Sequence, residues 1–82
     1  MATMTRDERL TVEDRIWTAW ERSSAIAQND YHRDCAAAHA AWRTGGSYSD
    51  LEAATKAALA ARNTAEEAAS ETYRAAMRSL RS

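Results

Sequence analysis

His32, Cys35 and His39 are the residues whose types and spacing come nearest to metal chemistry. Steps of three and seven keep all three on one side of a helix, and imidazole with thiolate is a zinc-type ligand set. The reach is wrong for one chain. His32 and His39 would stand about 10 Å apart along a helix axis, whereas zinc–ligand bonds are about 2 Å. One ion takes Cys35 with one histidine, and its other ligands must come from a second chain. A metal-binding helical bundle using Cys35 and His39 of two copies is therefore an alternative reading. The simpler one makes Cys35 a small core residue and the histidines its borders, so that no metal ligand and no cofactor are expected.

Other chemistry is harder still to place. The chain has no Gly-rich phosphate loop, no serine elbow and no Glu-x-x-His pattern of di-iron bundles. Glu66, Glu67 and Glu71 fall on or beside the expected solvent face. We therefore expect no enzyme and no catalytic residues. Arg6, Arg9, Arg15, Arg22, Arg74, Arg78 and Arg81 gather toward one end of the molecule, but Asp7, Glu8, Glu13, Asp14, Glu21 and Glu71 gather there too. Those charges cancel, and with a formal net charge of -1 no nucleic-acid partner is expected.

The elements that would position these side chains follow from a turn. Gly45 and Gly46 are the only glycines, and they lie between two alanine-rich blocks. Glycine takes the left-handed conformation that ends a helix, so Gly45 is the expected C′ residue. Ser49-x-x-Glu52 has capping-box spacing for the next helix, with Tyr48 placed to staple onto Ala53. Thr5-x-x-Glu8 and Thr11-x-x-Asp14 both offer a start for the first helix, and the packed part is expected to begin at Thr11. The fold class is thus all-α: a long antiparallel helical hairpin with a helix at about 11–43, a turn at 44–49 and a helix at about 50–80. Residues 1–10 are expected as a flexible N-terminal segment ahead of a hairpin domain spanning 11–82.

On a 100° wheel the first helix collects Ile16, Trp17, Trp20, Ser24, Ala27, Tyr31, Cys35, Ala38 and Trp42 on one stripe. Val12, Ala19 and Ile26 form a second arc at seven-residue intervals. The second helix sets Leu51, Ala54, Ala58, Ala61, Ala65, Ala69, Tyr73, Ala76 and Leu80 inward. Folding at the glycines brings Cys35 opposite Ala58 and Trp20 opposite Tyr73. One partner helix cannot cover both arcs of the first helix, and alanine contacts remove little area from water. A second copy of the chain answers both needs, so a homodimeric four-helix bundle is expected. Ile16, Trp20, Tyr73, Met77 and Leu80 are the expected self-association residues; Val12, Trp17, Ala19 and Ile26 are expected to meet a protein partner.

Composition agrees with long helices: alanine, arginine and glutamate dominate, and proline and phenylalanine are absent. Arginine outnumbers lysine ten to one, a bias of high-GC bacterial and phage genomes. A lone cysteine, no apolar leader and no long apolar run point to a cytoplasmic protein without a membrane partner.

The segment Ala40-Ala41-Trp42-Arg43-Thr44-Gly45-Gly46 with Ser47-Tyr48-Ser49 resembles the turn of the WXG100 family. That resemblance implies a dimerising helical hairpin exported by a specialised secretion system. Here two residues separate Trp42 from Gly45 instead of one, and Met77 stands where the family's export signal carries an acid after its tyrosine. The reading carried forward is a non-enzymatic protein–protein interaction module, a small regulator, inhibitor or assembly component. A WXG100-like exported hairpin is the alternative.

Overall fold

The computed structural model describes residues 3–81. It contains two helices, α1 (Arg6–Arg43) and α2 (Tyr48–Arg81), folded against each other. The hairpin measures 64 × 17 × 11 Å along its principal axes.

The fold-back is built at the diglycine, as its chemistry requires. Gly45 has φ 109°, a region that side chains disfavour. Its N–H donates to the Trp42 carbonyl at 3.2 Å, and the Gly46 N–H donates to the Ala41 carbonyl at 3.1 Å. These are the two bonds of a Schellman motif. Gly46 serves differently: a Cβ there would come within 2.9 Å of the Ala41 carbonyl oxygen.

Both helices start earlier than expected. Thr5, not Thr11, caps α1, its hydroxyl accepting the Glu8 N–H at 3.1 Å. Asp7 and Glu8 then lie in the first turn, where acids oppose the helix dipole. Thr11 sits inside the helix and donates back to the Asp7 carbonyl at 3.0 Å. Residues 6–10 of the segment expected to be flexible are thus the first turns of α1, while Met1 and Ala2 lie outside the described residues. At the other junction Ser47, not Ser49, is the cap: its hydroxyl accepts the Asp50 N–H at 3.1 Å and its carbonyl accepts the Leu51 N–H. Capping from Ser47 starts the helix directly after the Schellman turn and keeps Asp50 in the first turn. Tyr48 consequently belongs to α2 and is 66% exposed, so no staple onto Ala53 closes the turn.

The two helices hold the expected antiparallel register. Trp20 meets Tyr73 at a ring-centroid distance of 6.3 Å, and the Arg62 guanidinium lies 5.0 Å from the centre of the Tyr31 ring. At the open end Arg9 donates to the Leu80 carbonyl at 3.2 Å, a cation at the C-terminus of α2, where the dipole favours it.

Along α1 the half-buried residues Ile16, Trp20, Ser24, Tyr31, Cys35 and Ala38 follow the expected stripe around buried Ala27. Trp42, placed on that stripe by the wheel, is 43% exposed. The seam of α2 follows the expected face at Leu51, Ala58, Ala69, Tyr73, Ala76 and Leu80 and departs from it between residues 54 and 66, where Thr55, Arg62 and Glu66 are half-buried and Ala54, Ala61 and Ala65 are exposed. Alanines offer little area to bury, and there Arg62 and Glu66 find partners on the facing helix.

Ala58 is 5% exposed, buried in this seam. Ala58→Leu is expected to overpack it and cost about 1 to 3 kcal/mol, read as a lower urea midpoint at unchanged slope. An unaltered midpoint would contradict the register.

Candidate interaction surface

A groove of about 640 Å³ runs between the helices on one flank of the hairpin. α1 contributes Val12, Ile16, Ala19, Trp20, Ser23, Ile26 and Ala27; α2 contributes Ala65, Ala68, Ala69, Thr72, Tyr73 and Ala76. Arg15 and Asp30 are the charged groups of its lining. α2 lines the groove with four alanines, and a methyl group fills less space than the facing helix leaves. Ile26 stands 55% exposed on its wall, a large apolar side chain with little to cover it. A smaller hollow of about 490 Å³, lined by Asp34, Ala37, Ala38, Ala54, Ala57, Ala58 and Ala61, lies nearer the turn. Asp30 and Asp34, like Ala61 and Ala65, are four residues apart, so the two depressions share one flank.

Sequence reasoning placed Val12, Ala19 and Ile26 together, and the structure puts all three in this groove. Trp17, grouped with them, lies elsewhere. It packs on Trp20 at 5.0 Å and on Tyr73 at 6.1 Å between ring centroids, inside the 4.5 to 7 Å range of favourable aromatic pairs, and remains 47% exposed. Of the residues expected to self-associate, Ile16, Trp20 and Tyr73 line the groove, whereas Met77 and Leu80 are half-buried near the open end and do not.

A polar cluster interrupts the seam away from the groove. Glu66, expected on or beside the solvent face, is half-buried and accepts from Gln28 Nε2 at 2.9 Å and Ser24 Oγ at 3.5 Å. One turn away, Arg62 covers Tyr31 and donates to Asn63 Oδ1 at 3.1 Å, while its Nε is buried without a hydrogen-bond partner. The signal for both residues was in the sequence: Leu51, Thr55, Ala58, Arg62 and Glu66 are spaced by three and four. Their charge concealed it.

His32 and His39 are exposed and Cys35 is half-buried. His32 rests against the Tyr31 ring, 5.6 Å between centroids. Among the described residues no three His, Cys, Asp or Glu side chains converge on a point where an ion could sit, and a Cys35–His39 site would draw its remaining ligands from a second copy.

Beyond the seam the charges form short-range surface pairs. Arg33 bridges Asp30 and Asp34, each at 3.3 Å, and Lys56 pairs with Glu52 at 3.6 Å. Arg74 pairs with Glu71 at 2.6 Å and with Glu67 at 3.2 Å. The hydrogen bond from Arg74, followed by its charge, holds the Glu71 carboxyl below the ordinary carboxylate value and raises Arg74 in turn. No described helix is long and apolar enough to cross a membrane. Comparison with protein-family models, curated proteins and solved structures returns no match to this chain.

The lowered Glu71 value fixes the sign of one pH effect. The pair contributes stability at neutral pH, above the unfolded carboxyl's pKa, and the contribution is lost as pH falls through the folded value. Amide exchange in the last turns of α2 is expected to show faster opening on acidification in the wild type, and a smaller change in Glu71→Gln. Equal acid sensitivity in both would assign the effect elsewhere.

Proposed function

We propose that the protein is a non-enzymatic interaction module that works as a homodimeric four-helix bundle and engages a second protein. The observation that carries this reading is exposed area. The chain leaves 6335 Å² accessible, against about 4900 Å² for a folded monomer of 9.1 kDa. Only Ala27, Leu51 and Ala58 are buried among the described residues. Tryptophan, isoleucine and leucine side chains that a self-sufficient domain would enclose stand 39% to 55% exposed at Trp17, Ile26, Trp42, Leu10 and Leu59.

The seam of the hairpin sets its register but supplies little area. Association with another copy covers the groove flank and joins the Trp20–Tyr73 cluster to a continuous core. A small regulator, inhibitor or assembly component acts in this manner, through surface complementarity and without bond chemistry. Trp17, away from the groove, is the side chain we assign to the second protein, since tryptophan is enriched among residues that carry binding energy.

Light scattering behind size exclusion, at micromolar protein, tests the first half. Twice the 9.1 kDa chain mass is expected, with a melting temperature that rises with concentration. A monomer that melts cooperatively and independently of concentration would overturn the reading. Trp17→Ala tests the second half: it is expected to keep the dimer mass and to lose a protein captured from the native host by the wild type.

A further inference from the structure

We infer that the groove flank docks on the same flank of a second copy about a two-fold axis, with α1 antiparallel to α1 and α2 antiparallel to α2. This inference rests on the dimer reading and specifies its geometry.

A two-fold interface must be self-complementary: wherever residue i meets residue j, j must meet i. Four of the nine α1 residues lining the groove meet that condition. An axis level with the step from Arg22 to Ser23 sets Arg15 level with Asp30 of the second copy. It also sets Ala19 against Ile26 of that copy, and each pairing occurs twice. Opposite charges coincide, and the exposed isoleucine finds a small residue. α2 gives the same answer independently. Its groove residues are symmetric about the step from Ser70 to Glu71, which places Ala65 against Ala76, Ala69 against Thr72 and Ala68 against Tyr73. Small again meets large or small, and no two large side chains collide. These two midpoints need not have lain at one height. The register fixed by Trp20–Tyr73 and Tyr31–Arg62 puts them level, so a single axis satisfies both helices.

The charges are available for this pairing. Arg15 makes no ion pair among the described residues, and Arg33, the present partner of Asp30, keeps Asp34 when Asp30 turns away. Area also suffices. A face 17 Å wide, overlapped over residues 6–39 of α1 and 60–81 of α2, or about 50 and 32 Å at 1.5 Å per residue, gives about 700 Å² per copy, within the range of roughly 600 to 1000 Å² per partner of a standard stable interface. A foreign helix would fill the groove without any need for its lining to be symmetric. The Arg15–Asp30 charge match and the symmetric α2 lining are what select a second copy.

Charge reversal and cross-linking test the geometry. Arg15→Asp and Asp30→Arg are each expected to raise the dimer dissociation constant by about tenfold or more, at unchanged helicity by circular dichroism. The double variant, with its charges exchanged, is expected to return to within about threefold of wild type. In a Cys35→Ala background, Ser23→Cys lies beside the axis and is expected to cross-link readily between copies, whereas Ala40→Cys is not. Failure of the double variant to recover, or a link at position 40 in place of 23, would overturn this geometry while a dimeric wild type keeps the dimer reading. A monomeric wild type would remove both.

Discussion

Two helices in contact share a line, and a line cannot enclose an interior. Every feature of this hairpin depends on that constraint. A residue on the seam is shielded by one neighbour helix and remains open on its two sides, so only small or well-placed side chains become buried. Ala27, Leu51 and Ala58 reach that state, while bulky Trp20 and Tyr73 remain half-exposed. Register and direction are nevertheless well determined, because the turn and a few cross-seam contacts are specific even where they are small.

The flank groove follows from the same constraint. Where α2 presents alanines, the space beside α1 is left unfilled and Ile26 stands 55% exposed beside half-buried Val12. In an autonomous domain a third element would occupy it. Here the α2 lining is symmetric in size, and Arg15 and Asp30 bring opposite charges to the two ends of the α1 lining. The hairpin's thinness and its open flank thus have one origin.

The polar cluster across the seam has a different physical role. Glu66 with Ser24 and Gln28, and Arg62 over Tyr31, spend long polar side chains where a conventional core would use leucine. Such groups contribute modest net stability, but their contacts across the seam form only in one alignment of the helices. A seam of alanine alone would permit sliding by a turn at little cost. The cluster fixes the alignment that brings the two halves of the groove level.

By itself the sequence determined the all-helical class, the fold-back at Gly45 and Gly46, the antiparallel register and the Val12, Ala19, Ile26 arc. These are local in origin: periodicity, glycine conformation and the spacing of apolar residues. It did not determine where each helix begins, because Thr5 and Thr11, or Ser47 and Ser49, present the same capping chemistry. Helix propagation past the inner candidate decided between them, since Arg6 to Leu10 has nothing that stops a helix. Nor did it determine where the α2 seam departs from the expected face. A wheel ranks residues by polarity and therefore sends Glu66 toward solvent and Ala54, Ala61 and Ala65 to the seam. Only the tertiary structure shows Ser24 and Gln28 on the facing helix, partners that no periodicity encodes and that hold Glu66 in the seam.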